Sequence, residues 1–310
     1  MGSNAFIFTI FSIKFKINLM LFVWNYHEFE VILRKSIAFQ GVEGANSHLA
    51  IHQYYGNDID IVPCEDLHQL FNALKENQVQ YALLPVENAL AGAVHGAYEL
   101  LRENDFRIQA EIILRVHHNL LALKGTKIDQ LTHIRSHPQA LAQCEQFLKR
   151  HNLTPVNWYD TAGAARDLSG SEDKSIGAIA SSLAAELYDL DTIESNIEDV
   201  DFNFTRFFVL GHDDPVASSY NKTSIVFATR NRPSALYNCL GAFSKRNINL
   251  TKIESRPRRN RPWEPIFYLD FEGHWQDPAS QEALLDLLQQ ASFVKMLGSY
   301  PAVQSESVGI

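Results

Sequence analysis

The sequence predicts an α/β protein with a largely parallel sheet, followed by a smaller ferredoxin-like unit of βαββαβ order. Two observations support this fold class. In residues 36–212, short apolar runs repeatedly end in small or polar residues that open helical stretches, which is typical of strands alternating with helices. After a polar linker at residues 213–221, the periodicity changes, and residues 222–305 give strand, helix, two strands, helix and strand in turn.

In the larger unit, the points where a predicted strand gives way to a predicted helix lie after an apolar run of strand length or at the start of a helical pattern. Polar residues suited to helix N-termini occupy these junctions: Ser47, Asn88, Ser136, Thr161 and Ser181. Because α/β sheets bind ligands beyond the carboxyl ends of their strands, we expect these side chains to contact a small anion with several oxygens. The alternative interpretation is that each is an ordinary N-cap, since Ser, Thr and Asn are favoured there.

Two short strings carry the most chemical information. Residues 203–207, Asn-Phe-Thr-Arg-Phe, place the hydroxyl of Thr205 beside the guanidinium of Arg206. Such a pair suits a site that donates to an oxygen and holds a carboxylate, so we expect Arg206 to bind a carboxylate in a bidentate fork. The second string, Glu-Ser-Arg-Pro at 254–257, ends a predicted strand of the smaller unit.

Composition narrows the function classes. A net charge of -9 and a pI near 5.7 argue against a nucleic-acid surface, and we interpret the arginines between 256 and 261 as a solvated loop. Cys64, Cys144 and Cys239 are far apart, without metal-ligand spacing or a disulfide framework, which favours a reducing cytoplasm. Gly41 and Gly44 match neither nucleotide fingerprint, and a tight strand-to-helix turn explains both glycines.

Residues 1–35 differ from the rest of the chain. The segment 5–24 is rich in Phe, Ile and Leu, but Lys14 and Lys16 interrupt it, and no small-residue cleavage site follows. Because lysine near the middle of a span costs roughly 2.5–3.5 kcal/mol on insertion scales, no membrane span is expected. We interpret the segment as an extension outside the fold, with an interfacial anchor as the alternative.

From residue 36 to residue 300 the motifs, in their order and spacing, resemble those of prephenate dehydratases with a C-terminal ACT regulatory domain. The matching segments are Gly41-x-x-Gly44-x-x-Ser47-x-x-Ala50, Pro85-Val86-Glu87-Asn88, Ser136-His-Pro-Gln139-Ala-Leu-Ala-Gln-Cys144, Asp160-Thr161-Ala162, Thr205-Arg206-Phe207 and Glu254-Ser255-Arg256-Pro257. The resemblance implies a bilobal, periplasmic-binding-protein-like catalytic domain at 36–212 and an ACT domain at 222–305. It also implies decarboxylating dehydration of prephenate to phenylpyruvate in phenylalanine biosynthesis, without cofactor or metal.

The resemblance also assigns residues to roles. The residues expected in catalysis are Thr205, Arg206 and Asn88. Those expected to bind substrate are Ser47, Glu87, Ser136, Gln139, Thr161, Ser181, Asn203 and Phe207. Those expected to bind allosteric L-phenylalanine, at an interface that requires a homodimer or homotetramer, are Ala235, Leu236, Glu254, Ser255, Arg256 and Pro257.

Three positions depart from the family pattern. Ala89 stands where Ser or Thr is usual, which removes one hydroxyl donor, and His48 stands where Glu is common. We do not interpret His48 and His52 as a metal site. Ser234 replaces a glycine at a turn of the smaller unit. Because such a turn favours glycine, we expect Ser234 to affect the response to phenylalanine more than the presence of the phenylalanine site.

Two other functions remain open from the sequence. Arogenate dehydratase performs the same elimination on a substrate with an amino group in place of the keto group, and one sequence does not decide between the two. A non-catalytic protein that binds small anions would use the same cleft, but it would not need Thr205 beside Arg206 or the appended unit.

Overall fold

The bounds of the secondary structure come from a computed structural model that describes residues 35–258 and 261–303, without the side chains from 258 to 263. The described residues from Ser36 onward belong to one compact unit. Residues 1–34 of the predicted N-terminal extension lie outside the described residues. Of the predicted arginine loop at 256–261, only residues 259–260 lie outside them. Arg256 and Arg258 belong to one strand and Arg261 begins the next, so the prediction of a loop is wrong for these three residues. No helix within 35–258 or 261–303 is long and apolar enough to cross a membrane.

The strands are β1 (Lys35–Gln40), β2 (Ile59–Cys64), β3 (Tyr81–Asn88), β4 (Gly92–Ala93), β5 (Arg107–Arg115), β6 (Asn119–Ala122), β7 (His133–Ser136), β8 (Thr154–Asn157), β9 (Ile176–Ala180), β10 (Asp191–Glu194), β11 (Phe204–Gly211), β12 (Asn221–Thr229), β13 (Leu250–Arg258), β14 (Arg261–Glu272) and β15 (Ala291–Pro301). The helices are α1 (Asn46–Tyr55), α2 (Leu67–Lys75), α3 (Ala97–Glu103), α4 (Pro138–Gln143), α5 (Glu145–Arg150), α6 (Thr161–Ser169), α7 (Ser182–Leu187), α8 (Ala235–Ser244) and α9 (Pro278–Gln290).

Two mixed sheets form the larger part of the fold. The sheet of the first lobe has the order β2-β1-β3-β11-β5, with β4 paired to β3. The sheet of the second lobe has the order β10-β6-β9-β7-β8. The prediction of a largely parallel sheet is therefore only partly right. In the first lobe β1 and β3 are parallel, whereas β11 lies antiparallel between β3 and β5 because the chain returns from the second lobe at that point.

The C-terminal unit shows the predicted βαββαβ order, with an antiparallel sheet of order β13-β14-β12-β15. One face of this sheet packs against α8 and α9, and its core includes Phe227, Phe243 and Phe271. The other face shares a core with the first lobe, where Tyr300 contacts Phe208 of β11 edge to face. The C-terminal sheet therefore lies directly against the strand that carries the Thr-Arg-Phe string.

The local backbone corrects two predicted helices. The helix predicted to follow Asn88 begins only at Ala97, because β3 continues through Asn88 and then pairs with β4 across a turn at residues 89–91. After Ser136, where the sequence predicts the start of a helix, the chain forms two helices, α4 and α5, which meet at Cys144.

The glycine turn between β1 and α1 agrees with its prediction. Gly41 and Gly44 both have positive φ, and a Cβ at Gly44 would lie 3.0 Å from the Cα of Ala184. The backbone conformation and the close approach of the second lobe both explain the glycine at position 44.

Candidate active site

A pocket of about 210 Å³ lies between the two lobes. The first lobe contributes the start of α1, the end of β3 and the start of β11. The second lobe contributes α4, the first residue of α6 and the segment before β6. The lining residues are Asn46, Ser47, Pro85, Asn88, Val116, His118, His137, Gln139, Ala140, Gln143, Thr161, Asn203, Thr205 and Phe207.

Strand pairing brings Asn88 and Thr205 together. They lie opposite each other in the β3–β11 ladder, and the Nδ2 atom of Asn88 donates to Oγ1 of Thr205 over 3.0 Å. Asn203, just before β11, is buried, and its Oδ1 atom accepts from the same Nδ2 over 2.8 Å. Three polar groups from two neighbouring strands therefore meet at one end of the pocket.

The hydrogen bonds of Asn88 fix the direction of this network. Its Oδ1 atom accepts from the backbone N–H groups of Leu90 and Ala91, over 3.1 and 2.9 Å. The amide nitrogen must therefore face Thr205, and Thr205 accepts a hydrogen bond from Asn88. The hydroxyl proton of Thr205 is then available to donate to a bound oxygen, and the bond that Thr205 accepts polarises its O–H group.

The network extends across the pocket to the second lobe. Asn203 donates through Nδ2 to Oε1 of Gln143 over 3.2 Å, and Nε2 of His118 lies 2.7 Å from the same oxygen. Because that oxygen already accepts a hydrogen bond, Nε2 of His118 is assigned as a donor. Burial lowers the pKa of His118 from its ordinary value, although the bond to Gln143 and the charge of Glu198 oppose this effect. We therefore treat His118 as neutral near pH 7.

Glu198 fixes the segment that carries His118. Its carboxylate accepts from the backbone N–H of His118 over 2.9 Å and lies 2.7 Å from Nδ1 of His117. The Glu198 side chain is only 4% exposed. Its carboxylate therefore supports the wall of the pocket and does not face a bound ligand.

The start of α1 gives the pocket an electropositive edge. Ala45 precedes the helix and supplies no side-chain cap, while Asn46 and Ser47 line the pocket. The backbone N–H groups of a helix's first turn have no partners within the helix, and the helix dipole favours an anion there. Thr161, the first residue of α6, lies on the facing lobe.

Sequence comparison agrees with this geometry. Residues 37–215 match the family model described as prephenate dehydratase. The chain belongs to the prephenate dehydratase family.

Relatives and solved structures of this family cover most of the chain. The arogenate dehydratase/prephenate dehydratase 2 of Arabidopsis thaliana, a chloroplastic protein, is 41% identical over 86% of this chain and 73% of its own length. A prephenate dehydratase from Arthrobacter aurescens, solved in complex with L-Phe, has a TM-score of 0.79 at 27% identity over 86% of this chain and 89% of that one. The structure of GqqA, described as a novel type of quorum quenching acylase, has a TM-score of 0.82 at 34% identity over 88% of this chain and 100% of that one.

The prediction for Arg206 needs a correction. Successive residues of a strand face opposite sides, so Arg206 points away from the pocket that Thr205 and Phe207 line. Its guanidinium lies 2.7 Å from Glu111 and 2.6 Å from Asp270, and its side chain is 14% exposed. Both carboxylates belong to the protein, so this geometry does not support Arg206 as the ligand of a substrate carboxylate.

Three other predicted substrate contacts also lie outside the pocket lining. Glu87 is opposite Arg206 in the ladder and pairs with Lys252 over 2.7 Å. Ser136 is fully buried and donates to the carbonyl of Ile179. Ser181 caps α7, as the alternative interpretation held, and donates to the carbonyl of Gly44 over 2.6 Å, which ties the two lobes together.

The pocket does contain the other predicted members of the prephenate dehydratase site. These residues are Ser47, Asn88, Gln139, Thr161, Asn203, Thr205 and Phe207. Ser47 and Thr161 are helical residues rather than N-caps, since Ala45 and Asp160 hold those positions.

Sequence reasoning missed Gln143 and His118. Gln143 follows the predicted Gln139 by four residues, a spacing that places both on one face of α4. This signal was present in the sequence, whereas the pocket position of His118 depends on tertiary packing that places it beside Gln143.

The predicted regulatory residues divide between the two faces of the C-terminal sheet. Ala235 and Leu236 line a cavity of about 280 Å³ that also contains Phe267. Phe267 is the register partner of Ser255. Glu254, by contrast, pairs with Lys252 and with the side chain of Arg256 on the face toward the first lobe.

Proposed function

We propose that this member of the prephenate dehydratase family removes carbon dioxide and water from prephenate to give phenylpyruvate. The bond between the ring and its carboxylate breaks, and that electron pair enters the ring while the C–O bond opposite breaks. The departing oxygen takes one proton and leaves as water, so the reaction consumes one proton and needs no oxidant or reductant. Because aromatisation drives the reaction, the protein mainly has to orient the substrate and protonate the departing oxygen.

The observation that carries the proposal is the direction of the Asn88–Thr205 hydrogen bond. Asn88 cannot accept from Thr205, because its oxygen is occupied by two backbone N–H groups. Thr205 is therefore a placed donor facing the pocket, which is what a departing hydroxyl needs. Threonine is a weak acid, so Thr205 passes a proton that water replaces rather than acting as a free acid.

Substrate carboxylates have different surroundings in this proposal. We place the retained carboxylate at the N-terminus of α1, near Ser47 and Thr161, in the role first assigned to Arg206. Among the described residues that line the pocket, none is Lys or Arg. This lining suits the carboxylate that leaves, because a strong ion pair would stabilise the ground state more than the transition state.

The deciding experiment measures products from two substrates. Purified protein is incubated separately with prephenate and with arogenate, and phenylpyruvate and phenylalanine are quantified. The proposal expects phenylpyruvate from prephenate, and absence of both products contradicts it and favours the non-catalytic anion-binding alternative. The relative's name, which includes both activities, supports arogenate as the second candidate substrate, and the ratio of kcat/KM values decides between them.

The description of GqqA as an acylase adds a third arm to this assay. Acyl transfer usually needs a nucleophile hydrogen-bonded to a general base. In the described residues Thr205 bonds to the amide of Asn88, while His118 bonds to the amide of Gln143. This arrangement favours elimination over acyl transfer. We therefore expect no hydrolysis when an N-acyl homoserine lactone is offered as the third substrate.

We further propose that the C-terminal unit is an ACT domain that binds L-phenylalanine and lowers activity. The complex of the Arthrobacter protein with L-Phe and the cavity beside Ala235 and Leu236 support this proposal. Such a response requires that phenylalanine bind one arrangement of a homodimer or homotetramer better than another. Assays with added L-phenylalanine, together with light scattering, test it. The cytoplasmic location, and the absence of a cofactor, metal or nucleic-acid partner, stay predictions.

A further inference from the structure

The paired strands β3 and β11 present two different faces. On the pocket face, Asn88 lies opposite Thr205. On the other face, Glu87 lies opposite Arg206. Each proposed catalytic residue therefore has a charged neighbour on its own strand: Glu87 precedes Asn88, and Arg206 follows Thr205. Both charged side chains point toward the C-terminal sheet.

Arg206 is joined to the C-terminal sheet by a buried ion pair. Its Nη1 atom lies 2.6 Å from Oδ2 of Asp270 on β14, and its Nη2 atom donates to the hydroxyl of Tyr300 on β15 over 3.1 Å. Asp270 is held in turn by the hydroxyl of Ser224 over 2.6 Å. Glu111 of the neighbouring β5 binds the other edge of the guanidinium.

Glu87 is joined to the same sheet at a second point. Its carboxylate lies 2.7 Å from Nζ of Lys252 on β13, and that lysine is 12% exposed. Lys252 also lies 3.1 Å from Glu254 and 5.4 Å from the ring centre of Tyr98. The lysine is thus fixed by several groups rather than forming a loose surface pair.

The backbone ladder is irregular between these two points. Arg206 pairs with Glu87, but Phe207 pairs with Pro85, so Val86 is the extra residue of a bulge. Pro85 has no N–H group to donate to the ladder. Bulges loosen local pairing and redirect side chains near active sites, so the position of Asn88 relative to Thr205 is set less firmly by the ladder alone.

We infer that the ion pairs Arg206–Asp270 and Glu87–Lys252, here called the clamp, position Asn88 and Thr205 for the reaction. The C-terminal sheet would thus fix the catalytic strand pair from behind without touching substrate. This inference rests on the proposed function for its kinetic effect, whereas its effect on the strands is independent of the reaction. Catalysis is sensitive to such placement, since an error of about 1 Å can cost roughly 100-fold in rate.

Lys252→Met is the most informative variant, because Glu87 is 37% exposed and does not become a buried unpaired charge. The matched control is Arg246→Met, which removes ion pairs with Glu282 and Asp286 inside the C-terminal unit. Two quantities are measured for the full chain: kcat and KM on the substrate that the wild type converts, and hydrogen exchange in peptides covering 84–91 and 203–208.

Lys252→Met is expected to raise exchange in both peptides and to lower kcat about tenfold with KM changed less than about twofold. Lys252→Arg is expected to restore most of both quantities, and Arg246→Met to leave both as in the wild type. Unchanged exchange in Lys252→Met, or an equal effect in Arg246→Met, overturns the inference. If the wild type converts neither prephenate nor arogenate while exchange still rises, the proposed function fails and the clamp stands.

Discussion

Replacing Arg206 with methionine should destabilise the fold strongly, because it leaves carboxylates buried without their cation. Side-chain exposure is 0% for Glu111 and 5% for Asp270. Burial disfavours a charged guanidinium, but Asp270, Tyr300 and Glu111 raise the pKa of Arg206 well above its ordinary value. Arg206 is therefore charged at neutral pH and is the central cation of the cluster.

Removing one partner of a buried ion pair typically costs about 3–5 kcal/mol. Two contacts limit the loss: Lys222 still pairs with Glu111 over 2.7 Å, and Ser224 still donates to Asp270. We therefore expect about 3 kcal/mol, the lower end of that range. For a fold of this size each 1 kcal/mol lowers the melting temperature by roughly 2–4 °C, which gives a fall of roughly 6–12 °C.

Urea unfolding at pH 7 measures this loss, with Lys149→Met as the control. Lys149 and Glu145 form an ion pair whose side chains are 72% and 62% exposed, so its removal should change stability far less. Adding Asp270→Asn to Arg206→Met should recover part of the loss, since it removes an unpaired charge. A loss as small as that of the control would refute the description of this cluster as a buried ion-pair centre.

The remaining predictions concern a turn and a buried histidine. Ser234, just before α8, has φ +62°, a conformation that glycine adopts without strain. Ser234→Gly should therefore raise the free energy of unfolding by about 1 kcal/mol, measured by thermal unfolding. If Ser234→Gly is no more stable than Ser234→Ala, the backbone at this position is not strained. Burial lowers the pKa of His118 in the folded protein. As pH falls below about 6.5, the ordinary pKa of histidine, the unfolded chain therefore binds more protons than the folded protein, and the free energy of unfolding decreases. His118→Gln should flatten this decrease between about pH 6.5 and 5, and identical curves would contradict it.

The sequence predicted the elements that repeat a simple pattern. The apolar run at 176–180 forms a strand, and a helix opens directly after it, as this repeated pattern predicts. Ser181 caps that helix, which is the alternative interpretation of its hydroxyl rather than the predicted ligand contact. The βαββαβ order of the C-terminal unit was also visible, because its strands and helices have different hydrophobic periods. Turn chemistry predicted the glycines at 41 and 44, whose positive φ values match.

Side-chain direction was the main source of error at the site. Thr205 and Arg206 are adjacent in sequence, and treating them as one site ignored the alternation of a strand, which separates them to opposite faces. The same alternation separates Glu87 from Asn88. The partners of these charged residues, Asp270 and Lys252, lie far along the chain, so only the packing of the two sheets could identify them.

The placement of the hydrogen-bond network was also beyond the sequence. Gln143 could have been found from its spacing to Gln139, but its contact with Asn203 depends on how the two lobes face each other. Ser136 resembled a substrate ligand because it follows a strand, yet it donates to a backbone carbonyl within its own sheet.

Thr205→Val tests the central claim most directly. The change removes the hydroxyl without changing the shape, and Asn88 keeps Asn203 and the carbonyl of Phe204 as acceptors, so the fold should persist. Thr126→Val is the matched control. Thr126 is a buried residue of the segment that connects β6 to β7, and its hydroxyl has no partner among the described residues. Steady-state kinetics on the converted substrate should show kcat about 100- to 1000-fold lower for Thr205→Val, with a similar KM and an unchanged control. A kcat near that of the wild type would contradict the assignment of Thr205 as the donor to the departing oxygen.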